Sequence, residues 1–257
     1  MIKRDALMHL EMEAGRLLKG TGRYIYQSWK RFTSITTKLK DRRDVVTNVD
    51  VEAENRIREK LHKLWPEAGF IVEEGRSQEK EYNWVIDPID GTKYFAAQTP
   101  IFVTQLALVR GREPVLGVIY NPVSQQLFSA SLGNGARLNG GVVVQKTRTD
   151  PNSAILDWDG ASSVRQPWTI PLYNALLQSF YRVRSIGGIY SIYVVTGAFD
   201  ACVYLEEFVK TVDIKPNLII MKEAGLTVKT LLVQSHPIVV CSNPTLIDHI
   251  EQIIAKL

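Results

Sequence analysis

The 257 residues carry 31 Lys and Arg against 27 Asp and Glu, a net charge of +4, with two cysteines and four histidines. A 45% hydrophobic, 23% charged chain of this length has material for one large globular domain or two small ones. The basic excess is small and dispersed, which argues against a nucleic-acid partner; Cys202 and Cys241 are too few for a disulfide framework or a multi-cysteine zinc site, and the histidines sit in no Gly-rich or acidic motif.

Residues Ala6, Leu7, Leu10, Ala14, Leu17 and Leu18 recur at helical spacing, and a second helix is expected through Tyr24, Ile25, Trp29 and Phe32. This N-terminus lacks a signal-peptide core, and no run reaches the roughly 20 apolar residues of a membrane span. A cytoplasmic protein with no membrane partner is expected. Residues 33–48 read as two short strands around a charged tip at 41–44, and residues 51–65 as a helix with Ile57, Leu61 and Leu64 on one face, ended by Pro66. Strands are expected at 69–72, 84–86, 102–109, 115–120 and 126–130, with hairpin turns at Gly133-Asn134-Gly135 and Asn139-Gly140-Gly141. Further strands are expected at 154–156, 181–184, 201–205 and 238–241, and helices at 168–179, 188–196, 216–224 and 244–256. The order predicts a layered α/β (α+β) architecture, alternating helix and sheet layers with one half mostly antiparallel. The whole chain reads as a single domain, with sub-halves of about 1–145 and 146–257.

The stretch that carries chemistry is Trp84-Val-Ile-Asp87-Pro-Ile-Asp90-Gly91-Thr92-Lys93. An apolar strand delivers two carboxylates, which repel unless a cation neutralises them. Hard oxygen ligands suit Mg2+. Gly91 and Thr92 then open a short helix, where backbone N–H groups can receive a phosphate. Metal and phosphate side by side are what metal-assisted phosphoryl transfer requires. Four further carboxylates, at three places, follow the same pattern: Glu73 and Glu74 after Phe70-Ile-Val, Asp50 at the head of a helix, and Asp213 before Pro216. For Asp50 and Asp213 a helix N-cap is the ordinary reading.

Val-Thr-x-x-Asp, Glu-Glu, Asp-Pro-Ile-Asp-Gly-Thr, Gly133-x-Gly-Ala-x-Leu-Asn-Gly140, and an Asp-Ile before Lys-Glu-Ala-Gly together resemble the inositol monophosphatase family. This is a branch of the lithium-sensitive, Mg2+-dependent sugar-phosphatase superfamily that includes fructose 1,6-bisphosphatase. The resemblance covers nearly the whole chain. It implies that family's layered sandwich and a phosphate monoester hydrolase, most simply one acting on inositol 1-phosphate. It implies two to three Mg2+ ions: Glu73, Asp87 and the Ile89 carbonyl for the first, Asp87, Asp90 and Asp213 for the second, Glu73 again for the third. Thr92 and Asp50 would orient and deprotonate a metal-activated water that attacks phosphorus in line. Asp90, Gly91, Thr92, Gly188 and Glu206 would contact substrate. A small phosphorylated sugar or polyol as partner, lithium sensitivity and a homodimer are the family's further implications. Departures are Val72, Val212, Ile214, Lys215 and Pro216. Lys93 replaces a common Thr, and Lys there is seen in relatives acting on histidinol phosphate or 3′-phosphoadenosine nucleotides.

Two rivals remain. A haloacid-dehalogenase-type phosphatase also uses an Asp-rich strand end, but its aspartates are two apart, whereas Asp87 and Asp90 are three apart with Pro88 between. A non-catalytic family member that binds phosphosugars is favoured only by the departures around Asp213. The loop at Asp157-Trp158-Asp159 is a further candidate for shaping the pocket.

Overall fold

The computed structural model describes residues 2–31, 37–39, 45–72, 79–159, 166–186, 188–207 and 211–257. The apolar stripe of the N-terminus continues unbroken, so the two helices expected there are one, α1 (Arg4–Arg31), burying Leu7, Ala14, Leu17, Leu18, Thr21, Gly22 and Ile25. Gly20 and Gly22, each worth about 1 kcal/mol against a helix, do not break it, because a side chain at Gly22 would meet a neighbouring strand. A Cβ there would lie 2.5 Å from the Tyr120 ring. β1 (Thr37–Leu39) and β2 (Val45–Thr47) pair antiparallel, as expected; the charged tip at 41–44 lies outside the described residues. α2 (Asn48–Leu64) follows directly.

Seven strands form the first large sheet in chain order: β3 (Gly69–Val72), β4 (Tyr82–Asp90), β5 (Val103–Arg110), β6 (Glu113–Asn121), β7 (Gln126–Ser131), β8 (Ala136–Leu138) and β9 (Gly141–Val143). Only β3 and β4 run parallel among the pairs from β3 to β8. Both expected hairpin turns are present, with Gly133, Gly135, Asn139 and Gly140 all at positive φ. The two faces are read from alternation. Trp84, Ile86, Leu106, Leu108, Leu116 and Val118 face Leu7 and Leu18 of α1 and Ile57 and Leu61 of α2. Val85, Ala107 and Val109 face Val212. That second face is covered at Gly117, where an added Cβ would lie 2.5 Å from Ile219 Cγ2 and 2.6 Å from the Pro216 carbonyl oxygen. Glu11 is a charge buried on α1, and its two oxygens accept from the Ser129 hydroxyl at 2.7 Å and the Ser131 hydroxyl at 2.6 Å. Its burial is therefore compensated.

A five-stranded mixed sheet has the order β11 (Arg182–Arg184), β10 (Ile155–Asp159), β12 (Ala201–Leu205), β14 (His236–Ser242) and β13 (Thr227–Val233). β13 was not expected; its alternation is masked by Lys229 and Thr230 on an edge whose side chains are mostly exposed. α4 (Thr169–Ser179) and α6 (Pro244–Ile254) pack on one face of this sheet around Trp158, Val203, Val240 and Ile250. A 3-10 helix spans Gly188–Thr196, and α5 spans Thr211–Glu223. The chain divides into two compact units: Met1–Val142 with Thr211–Ile220, and Val143–Lys210 with Met221–Leu257. No helix among the described residues is long and apolar enough to cross a membrane.

Asp157 and Asp159 belong to strand β10, not to a loop, because Ile155–Asp159 pairs with β11 and β12 on both sides. Asp157 is fully buried and its Oδ2 accepts from the Ser191 hydroxyl at 2.6 Å. Burial pushes its carboxyl from the ordinary 3.8 to about 6, against the smaller opposing effect of the hydrogen bonds from Ser191 and the Ile186 backbone.

Two stability measurements follow from this packing. Gly117→Ala lowers the urea unfolding free energy by about 1–3 kcal/mol, because the opposing atoms include backbone that cannot rotate away. A carboxyl whose folded pKa is raised keeps its full contribution below the unfolded pKa and loses it as pH rises through the folded value. Wild-type stability should therefore fall by about 2 kcal/mol between pH 4 and pH 7 from Asp157, and Asp157→Asn should flatten that decline; an unchanged pH profile in the variant counts against the assignment.

Candidate active site

The sequence Thr47-Asn-Val-Asp50 forms a capping box at the start of α2. Thr47 is the N-cap: its hydroxyl oxygen accepts from the N–H groups of Val49 and Asp50 at 3.2 and 3.3 Å. Asp50 is therefore not the N-cap but the third helical residue, because the threonine three positions earlier takes the capping role. Its Oδ2 accepts from the Thr47 backbone N–H at 2.9 Å and from the Thr47 hydroxyl. The cap thus fixes one oxygen of a carboxylate that is only 1% exposed. The other, Oδ1, lies 3.1 Å from the Thr92 hydroxyl, which also lies 2.8 Å from the Ile89 carbonyl oxygen. Three residues that the sequence singled out, Asp50, Ile89 and Thr92, meet here across 42 positions of chain.

Thr92 opens α3 (Thr92–Ala96), the expected short helix, after Gly91, whose φ of 92° no residue with a Cβ adopts cheaply. The carboxylates come earlier than the sequence suggested, inside the strand: β4 continues through Asp87 to Asp90. In a regular strand residues three apart point to opposite faces. Here the pairing shifts by one residue between them, Asp87 standing opposite Gln105 and Asp90 opposite Val103. Gln105 and Val103 are two apart and share a face, so the bulge at Pro88-Ile89 turns both carboxylates to that same side. It is the side on which Val212 packs.

Gln105 was not singled out by sequence reading. It is fully buried, and its Nε2 donates to Asp90 Oδ2 at 3.0 Å. Its Oε1 is buried with no hydrogen-bond partner among the described residues. Nothing in the sequence around Gln105 marks it, since the contact depends on the register that the bulge sets.

Asp213 lies in the first turn of α5, and not ahead of the helix as expected, because the helix begins at Thr211. Pro216 is consequently interior, where it cannot donate to the carbonyl four residues back. The buried Asn217 side chain bonds the Asp213 carbonyl at 2.8 Å, bracing this irregular turn. Glu73 and Glu74 lie outside the described residues, and so does Gly187. Among the described residues no group of three His, Cys, Asp or Glu side chains is drawn together tightly enough to hold a metal ion. The donors that are described, Asp87, Asp90, Asp213 and the Ile89 carbonyl, are all hard oxygens without nitrogen or sulfur, the chemistry that fits Mg2+. Gly188 and Glu206 belong to the second unit, Gly188 starting the 3-10 helix and Glu206 exposed just past β12.

A layered α/β protein with two aspartates on one side of a bulged strand, beside a buried Asp–Thr contact, is the class that fold and site define. The chain belongs to the inositol monophosphatase family, whose profile matches residues 9–255. A protein of Aquifex aeolicus (strain VF5) named fructose-1,6-bisphosphatase/inositol-1-monophosphatase is 31% identical over 257 residues, 96% of each chain. Nus factor SuhB of Pasteurella multocida (strain Pm70) is 32% identical over 218 residues, 82% of this chain and 80% of its own. Among solved structures, the Thermotoga maritima IMPase superposes with a TM-score of 0.82 at 26% identity, over 96% of this chain and 97% of that one.

Proposed function

We propose that this chain is a Mg2+-dependent phosphate monoester hydrolase acting on inositol 1-phosphate or a closely related polyol or sugar phosphate. The observation that carries the reading is the Thr92 hydroxyl lying between Asp50 Oδ1 and the Ile89 carbonyl oxygen, beside the strand end bearing Asp87 and Asp90. Mg2+, when bound, neutralises the phosphate and lowers the pKa of water. Glu73, Asp87 and the Ile89 carbonyl would hold one ion, Asp87, Asp90 and Asp213 a second, and Glu73 a weaker third.

The residues then divide the work. Asp50 has one oxygen fixed by the Thr47 cap, so its other oxygen is presented to Thr92 in one orientation. A threonine hydroxyl can accept a hydrogen bond from water while donating its own proton to Asp50. Water held on Thr92 is thereby oriented for in-line attack on phosphorus, with its proton drawn toward Asp50. Gly91, with no Cβ, leaves the backbone at the α3 start open to phosphate oxygens. Gly188 and Glu206 are assigned to the substrate hydroxyls. Lys93 favours histidinol phosphate or a 3′-phosphoadenosine nucleotide among the alternatives, and the name of the Aquifex relative adds fructose 1,6-bisphosphate. The name Nus factor SuhB, carried by another relative, favours a second reading, a family member whose role is to bind a partner rather than to turn over substrate.

A panel of these phosphate esters with Mg2+ separates the two readings. The enzyme reading expects Mg2+-dependent phosphate release that lithium inhibits and that Asp90→Asn abolishes with its circular dichroism unchanged. In 18O water one solvent oxygen enters phosphate in a single turnover. A trapped phospho-aspartate at Asp87 would overturn direct water attack, and silence across the panel would favour the binding reading. Thr92→Val should lower kcat by about 10²–10⁴-fold, the range for a lost proton-transfer group, with little change in KM.

A further inference from the structure

The net charge of +4 conceals a strong local asymmetry. From Ala14 to Lys40 the sequence contains no Asp or Glu, while Arg16, Lys19, Arg23, Lys30 and Arg31 all lie on α1. At 100° per residue, Lys19, Arg23, Tyr26, Gln27 and Lys30 fall within an arc of about 100°. They form one wall of a groove of about 370 Å³ on the first unit. Its other wall is Tyr120, Pro122 and Gln125, from the end of β6 and the turn after it. Gly22, without a side chain, lets α1 approach the Tyr120 ring of that wall closely.

The lining contains no carboxylate. Among the described residues Lys19, Arg23 and Lys30 form no ion pair, and the Lys30 ammonium lies over the Tyr26 ring, 4.8 Å from its centre. Arg16, one turn before Lys19 and within the same arc, is neutralised locally by Glu13. Arg23 faces the Tyr120 phenol, whose pKa burial raises and the Arg23 charge draws back down. Like charges four apart, as at Lys19 and Arg23, weaken a helix by a few tenths of a kcal/mol, and a glutamate at either place would relieve them. Elsewhere the chain takes that relief: Glu52 with Arg56 and Glu59 with Lys63 on α2 are i,i+4 pairs. A helix that leaves such repulsion in place along one groove breaks a local rule, and such breaks concentrate at functional positions.

We propose that this groove is a binding site for a ligand carrying several phosphates in a row. Lys19 and Arg23 stand about 6 Å apart along the helix axis, and Lys30 about 10 Å further, so one carboxylate engages a single cation whereas linked phosphates engage all three. Arg23 supplies a forked donor suited to phosphate oxygens. The Tyr26 and Tyr120 hydroxyls and the Gln27 and Gln125 amides add neutral donors. The ligand chemistry is shared by a free polyphosphate and by the backbone of a single-stranded nucleic acid, the partner class that the small net charge argued against.

The test uses the full chain with two probes, a short fluorescein-labelled oligouridylate followed by anisotropy, and inorganic tripolyphosphate followed by calorimetry. Binding of either, with log Kd rising in proportion to log salt, is expected. For the oligouridylate the slope should be about 2, three cations at roughly 0.7 each. Lys19→Glu, Arg23→Glu and Lys30→Glu combined should weaken binding at least about tenfold and flatten the slope, with circular dichroism and melting temperature retained. If the charge reversal unfolds the chain, Lys19→Gln with Lys30→Gln serves instead, and the salt slope is read from that pair. Tripolyphosphate binding alone identifies the source as a free polyphosphate; an oligouridylate that tripolyphosphate displaces identifies the shared phosphate chemistry. The proposal is overturned if neither probe binds, if the variants bind as wild type does, or if polyglutamate displaces the probe equally well.

Discussion

Two carboxylates three residues apart cannot share a face of a regular strand, and the rest of the first unit is arranged around the bulge in β4 that lets them do so. Inserting one residue between Asp87 and Asp90 brings them opposite Gln105 and Val103, two positions on one side of β5. The same irregularity leaves the Ile89 carbonyl within reach of Thr92. Pro88 suits the place, because an interior strand position deprived of its N–H is tolerated only where the ladder is already interrupted. The opposite face is mostly apolar, with Ser129 and Ser131 bonded to Glu11 of α1, and α1 and α2 seat against it.

Helix nucleation and the proton handling proposed for Asp50 are joined at Thr47. Satisfying the free N–H groups at the start of α2 is a local demand of any helix. Here the residues that meet it also immobilise Asp50. A carboxylate with one oxygen committed to the cap has lost most of its rotational freedom, and the orientation of the second oxygen toward Thr92 costs little further entropy. Asp87 and Asp90 are steadied differently, by strand pairing and by the Gln105 amide. The Gln105 amide is a buried neutral side chain, as are Thr47 and Asn217 elsewhere in the site.

Much of this was legible in the chain. The Asp-Pro-Ile-Asp-Gly-Thr string, the Thr-x-x-Asp cap and the alternating strands of the meander are local patterns, and local patterns survive into structure when the core agrees with them. What was missed depends on distant partners. Gln105 acquires its contact only through the β4–β5 register. The two helices expected at the N-terminus are one, and Tyr120, a hundred residues away, fits against Gly22 within it. Asp213 was placed before a helix on the strength of Pro216, whereas Asn217 and the packing over Gly117 hold a proline inside one. β13 lies on an edge, where the alternation that announces a strand is diluted by solvent-facing Lys and Thr.

The first unit is built from two separated stretches of chain, Met1–Val142 and Thr211–Ile220. During synthesis the sheet, the bulge and both strand-borne carboxylates are made well before the segment that carries Asp213 and covers Gly117. At ribosomal rates of about 5–20 residues per second, that segment emerges roughly 4–16 s after Val142. For that interval the apolar side of the sheet around Val85, Ala107 and Val109 has no lid of its own, and its exposure is a matter for the nascent chain and whatever shelters it rather than for the finished fold.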